Sequence, residues 1–148
     1  MTSENILKQV AAKVSGCDVE DVNEERYDCY GLKVFSANGK EYAIGNDEEA
    51  DEAVKENIIN SLWAFNANFI IDHSKVKYSS ELEKSLREMQ SKLCESANDL
   101  VEALIKDLDK FVEDAISADG RGRFLSSYDS EELEIEIEGE MFFAYRQN

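Results

Sequence analysis

The chain has 148 residues, 43% hydrophobic and 9% aromatic, with 33 acidic against 16 basic side chains and a formal net charge of -17. That length and apolar content suffice for one domain, residues 1–148, with its own core, so the charge does not signal disorder and must lie outside. Such an excess of carboxylates opposes direct binding to DNA or RNA and to anionic membranes, both of which call for clustered Lys and Arg, and favours basic partners.

In chain order, Ser3 stands as an N-cap before Ile6, Leu7, Val10, Ala11 and Val14, whose spacing predicts a first amphipathic helix ending at Gly16. Residues 17–25 read as acidic and irregular. Tyr27, Cys29, Leu32 and Val34 mark two extended runs about Gly31. Asn38-Gly39 supplies the two positive φ angles of a tight hairpin, so residues 32–36 and 40–44 are expected to pair antiparallel. Gly45-Asn46-Asp47 then caps a helix whose acidic first turn, with Glu48, Glu49, Asp51 and Glu52, meets the positive end of its dipole. Its apolar side, from Ala50 and Val54 to Phe65 and Phe69, carries it to about Ile71 with a bend at residues 66–68. Residues 75–78 form a connection.

From Ser80 to Ala118 there is no Gly or Pro, and Leu82, Leu86, Met89, Leu93, Leu100, Leu104 and Leu108 recur at helical spacing. Unbroken, that helix would span roughly 57 Å, longer than a compact chain of this size is wide. A break near residues 96–98, or an exposed end serving an oligomer, is expected. Gly120 stops the helix, and Arg121-Gly122-Arg123 reads as a flexible turn into an extended segment from Phe124 to Tyr128. Leu133, Ile135 and Ile137 alternate with glutamates as one strand, and Met141 to Tyr145 form the last. This order predicts an α+β fold. A small antiparallel sheet, the N-terminal hairpin plus the C-terminal strands, packs with an N-terminal helix and a long helical hairpin, the helices lying on one side.

The most distinctive feature is Glu132, Glu134, Glu136 and Glu138 on one strand face, with Asp129, Glu131 and Glu140 close by. Alternate strand residues lie about 6.6 Å apart, roughly twice the 3.4 Å rise per nucleotide of one DNA strand, so the row can imitate nucleic acid in a cationic groove. The plainer reading is a charged edge strand that resists sheet-to-sheet aggregation. Asp47, Glu48, Glu49, Asp51 and Glu52 are a second acidic cluster, explained first by capping. Arg121 and Arg123 offer either guanidinium forks for an anion or neutralisation of neighbouring acids.

Cys17, Cys29 and Cys94 form no CxxC pair and predict reduced thiols. The N-terminal Met1-Thr2-Ser3-Glu4-Asn5 lacks a signal-peptide pattern, so a cytoplasmic protein is expected. His73, the single histidine, reads as a solvent or loop residue, although a Cys29 or Cys94 nucleophile paired with it stays formally open. Residues 18–25 and 107–119 lack the EF-hand pattern, and there is no P-loop, GxGxxG or GxSxG, so neither a metal nor another cofactor is expected.

Two passages, Gly39-Lys40-Glu41-Tyr42-Ala43-Ile44 with residues 45–53, and Asp119-Gly120-Arg121-Gly122-Arg123-Phe124-Leu125-Ser126-Ser127-Tyr128-Asp129, resemble segments of a family of small acidic bacteriophage and prophage proteins. The similarity spans roughly residues 38–72 and 105–146, with histidine common in the relatives where Arg123 stands. The resemblance implies a phage origin and, for an accessory protein, inhibition of host defence in the host cytoplasm; it carries over no functional residue. The leading expectation is a non-enzymatic inhibitor of a host nucleic-acid-binding protein, an anti-CRISPR or anti-restriction factor, binding a basic surface through the strand acids. The alternatives are an interaction module that forms a homodimer through the helix of residues 80–118, and a carboxylate-based metal-binding protein or enzyme.

Overall fold

The computed structural model describes residues 2–148. Contacts divide them into two compact units, residues 2–57 with residues 119–148, and residues 58–118.

The first unit is an α+β structure built on a five-stranded antiparallel sheet. Helix α1 (Glu4–Ser15) forms as expected, with Ser3 Oγ accepting from the Ile6 amide and Gly16 closing it at φ 70°. Strands β1 (Asn23–Cys29), β2 (Leu32–Ala37) and β3 (Lys40–Asn46) follow, then β4 (Leu133–Ile137) and β5 (Glu140–Arg146). The expected hairpin is present in register, from Ala37 opposite Lys40 to Lys33 opposite Ile44. Its turn logic recurs: Tyr30-Gly31, Asn38-Gly39 and Glu138-Gly139 all carry two positive φ angles, the condition for a two-residue hairpin matched to strand twist. Strand β1 begins inside the stretch read as irregular, because its first turn of pairing, Asn23 opposite Ser36, is supplied by β2 and not by any alternation of its own.

The strand order is β1-β2-β3-β5-β4, so the two C-terminal strands add to the edge of the N-terminal hairpin and β4 is outermost. Alternate residues point to opposite faces. Phe35, Ile44, Phe142 and Ala144 pack with Leu7, Val10 and Ala11 of α1. The intervening Phe143 and Tyr145 turn to the other face, where Arg121, from helix α7 (Arg121–Leu125), lies over the Phe143 ring. Helical structure therefore covers both faces, correcting the one-sided arrangement. Of the segment from Phe124 to Tyr128, expected to be extended, Phe124 and Leu125 instead end α7, and residues 127–129 form a turn.

Helix α2 (Asp47–Asn60) opens with a reciprocal cap: Asn46 Oδ1 accepts from the Glu49 amide at 2.8 Å and Glu49 Oε1 from the Asn46 amide at 2.9 Å. It does not run to Ile71. After Asn60 come a 3₁₀ turn (Leu62–Ala64) and helix α3 (Ala67–Asp72). The interruption has a long-range cause within the second unit. Asn98 donates to Ile59 O at 2.7 Å and accepts from the Trp63 amide at 3.1 Å, and Gln90 Nε2 donates to Trp63 O and Phe65 O. These side chains satisfy backbone groups that a continuous helix would have paired internally.

The run from Ser80 breaks at the expected junction near residues 96–98, and a second time after Leu104. Helix α4 (Ser80–Leu93) ends where Cys94 takes φ 49°, a 3₁₀ stretch (Cys94–Ala97) leads into α5 (Asn98–Leu104), and α6 (Leu108–Asp119) starts afresh. Between α5 and α6 the backbone pairs sideways: Lys75 N donates to Leu104 O and Lys106 N to His73 O. Phe111 meets Phe65 and Phe69 edge-on, and Leu62, Ile70, Leu86 and Val101 are buried.

Asn98→Ala strips partners from two backbone groups at once and should cost about 2–3 kcal/mol, read as a lower urea midpoint at unchanged m-value by Trp63 fluorescence.

Candidate functional site

Arg121 organises the acidic residues of the first unit. Gly120, at φ 80°, reverses the chain into α7 and delivers Arg121 to the sheet. Its Nε donates to Glu132 Oε2 at 2.8 Å, and its Nη1 donates to Asp47 Oδ1 at 2.9 Å, to Asp47 O at 3.2 Å and to Asp51 Oδ1 at 2.9 Å. The guanidinium carbon sits 4.5 Å from the Phe143 centroid, a cation–π contact. Only 11% of the side chain is exposed. Burial works against its charge, but the bond to Glu132, the nearby phenol and carboxylates, and the bond to Asp51 outweigh it and hold the proton more firmly than usual. The Tyr145 hydroxyl also donates to Glu132, and its acidity is pushed down by burial first and then by that bond.

Gly122 makes this approach possible. A Cβ there would stand 2.5 Å from Ser130 O and 2.7 Å from the Glu131 carbonyl carbon. The backbone of residues 130–132 thus lies directly on α7, which places Glu132 beside Arg121. The flexible arginine turn is therefore a packed helical turn; Arg121 neutralises acids, and Arg123 is exposed with no partner among the described residues.

The predicted acidic row is redistributed by this arrangement. Strand β4 runs from Leu133 to Ile137, so Glu132 lies before it, and Glu138, at φ 53°, belongs to the turn. Asp129 accepts from Ser126 Oγ at 2.8 Å and from the Glu131 amide at 3.0 Å, and these bonds, the amide first, hold it below the usual carboxylate range. Glu134 and Glu136 share the sheet face of Phe143 but are exposed, as are Glu131, Glu138 and Glu140. In the other cluster Asp47 and Asp51 bind Arg121, Glu49 closes the helix cap and accepts from Thr2 Oγ1, and Glu48 and Glu52 are exposed. Sequence reasoning missed Phe143, Tyr145 and Gly122. The apolar run from Met141 to Tyr145 carried the signal, since a strand without polar alternation is covered on both faces.

His73 stands in the turn after α3 but is not a solvent residue, its side chain being largely buried. It caps α3, stacks 4.5 Å from Phe69 and meets Phe111 edge-on. Nδ1 lies 2.9 Å from Phe69 O and Nε2 2.7 Å from Asp114 Oδ2, so neither nitrogen is left for a thiol. Burial, and then Asp28, push the Cys29 thiol up to about 11, away from nucleophile behaviour at neutral pH. Among the described residues no three His, Cys, Asp or Glu side chains are grouped to hold a metal ion, and no helix is long and apolar enough to cross a membrane.

Comparison with protein-family models, curated proteins and solved structures finds no match.

Arg121→Met should cost about 3 kcal/mol, less than a fully buried broken pair because Asp47 and Asp51 reach water; Arg121→Lys should recover only part, since one ammonium cannot replace the fork. Thermal unfolding of the two variants checks this. In the second unit, the hydrogen bond from His73, followed by that from Lys110, holds the Asp114 carboxyl below the usual carboxylate range. A depressed carboxylate contributes stability above its ordinary range and loses it as pH falls through the lowered value. Urea midpoints followed by Trp63 fluorescence should therefore decline below about pH 4, and Asp114→Asn should flatten that decline.

Proposed function

We propose that this protein is a non-enzymatic binding protein that engages a basic protein surface through β4 and the hairpin tip that follows it. One observation carries the reading: Glu134, Glu136, Glu138 and Glu140 form an exposed acidic border at a sheet edge, while Glu132, Asp47 and Asp51 are already held by Arg121. The carboxylates of this border are thus ones without an internal counter-charge among the described residues. The net charge of -17 supports the same reading, because it steers cationic surfaces inward and nucleic acid away. The resemblance to phage accessory proteins supports a nucleic-acid-binding host defence protein, such as a CRISPR effector or restriction enzyme, as the owner of that surface. Long-range duplex mimicry is less well supported than binding of a short basic stretch, since the strand proper keeps two free carboxylates of the predicted four. Self-association through one continuous helix loses its basis, because residues 80–118 are divided among α4, α5 and α6.

DNA cleavage by a panel of such nucleases should be inhibited at low salt, with apparent affinity falling tenfold or more between 50 and 200 mM salt as screening sets in on the order of 10 Å. Glu134→Lys, Glu136→Lys and Glu138→Lys together should abolish inhibition without lowering the melting temperature. Inhibition indifferent to salt and to the triple variant would refute the reading.

A further inference from the structure

We propose that β4 takes up an extended basic segment of the partner as a sixth strand, with lysines or arginines alternating with apolar residues. This inference rests on the reading of β4 as the binding edge, and it names the chemistry and conformation of what binds there.

The backbone geometry comes first. Ile137 and Glu140 face each other across the two-residue turn Glu138-Gly139. The pair that closes such a turn exchanges both of its hydrogen bonds, and antiparallel ladders alternate bonded with non-bonded pairs. Ile135 opposite Phe142 and Leu133 opposite Ala144 are therefore bonded pairs, while Glu134 opposite Phe143 and Glu136 opposite Met141 are not. The amides and carbonyls of Glu134 and Glu136 consequently point away from β5, to the open side. A separate contact agrees: Lys13 Nζ, an exposed ammonium, donates to Glu136 O at 3.3 Å. The edge thus already accepts a lysine at its backbone.

The side chains then select the occupant. A strand laid antiparallel on β4 would exchange hydrogen bonds with Glu134 and Glu136, and its residues directly opposite would sit about 5.5 Å away, Cα to Cα. Two free carboxylates at those positions favour Lys or Arg. The residues between would lie beside Leu133, Ile135 and Ile137, on the face that packs toward α1, and there apolar side chains fit. A second copy of β4 is disfavoured, because it would bring glutamates against glutamates. The opposite edge, β1, offers no comparable ladder, since its register shifts between Glu24 and Asp28.

The probe is an octapeptide alternating Lys and Val, against the same residues in block order, Lys first, titrated into the full-length protein and followed by amide NMR and hydrogen exchange. The alternating peptide should bind at least tenfold more tightly and should slow exchange of the Glu134 and Glu136 amides at least tenfold. Glu134→Pro removes one outward amide without touching the β5 ladder, and it should weaken binding at least tenfold with the melting temperature little changed. If both peptides bind equally with no protection of those two amides, strand addition is wrong while the acidic-surface reading survives. If neither peptide binds at low salt, both fall.

Discussion

Three carboxylates from two distant stretches of chain converge on the guanidinium of Arg121, and the positions of α7, of the start of α2 and of the approach to β4 follow from keeping that charge satisfied. Arginine suits the place because its planar fork can donate to several acceptors at once and still lie flat on the Phe143 ring. A lysine would offer one compact charge and no plane. Gly122 is the steric counterpart of this electrostatic demand, since only a residue without Cβ lets the backbone of residues 130–132 come close enough to bring Glu132 in. In a chain with about twice as many acids as bases, one nearly buried cation thus decides which of these carboxylates carry an internal counter-charge.

Much of the sheet was legible because its turns are local. Asn38-Gly39 names its own geometry, and the register of β2 with β3 follows from it without reference to anything else in the chain. The same holds for Ser3 and Gly16 at the ends of α1. The break near residues 96–98 was foreseen from helix length, but those after Asn60 and Leu104 were not legible, because their causes lie far away in sequence. Nothing near residue 60 announces that Asn98 and Gln90 will take its backbone groups, and nothing near Leu104 announces the pairing with residues 73–75. Helical periodicity persists through such interruptions, since buried positions in successive short helices keep the same apolar character. For the candidate site, the acidic strand was readable from its alternation, but the fate of Glu132 was not. It depended on an arginine whose partners no local pattern could assign.

An edge strand lined with glutamates serves two ends that are normally in tension. Open amides and carbonyls invite any extended chain, and charged side chains are the usual means of refusing it. Here the refusal is selective in sign. On the proposed reading, identical strands would be turned away by like charge and nucleic acid by the field of the whole molecule, whereas a basic extended segment would meet open backbone groups and matched charges. Had Arg121 been absent, Glu132, Asp47 and Asp51 would have added their charge to the same side and deepened the field without adding any backbone to pair with. Pairing those three with Arg121 leaves the uncompensated carboxylates of β4 on the two residues, Glu134 and Glu136, whose backbone is open, so that on the proposed reading long-range attraction and short-range pairing act at the same place.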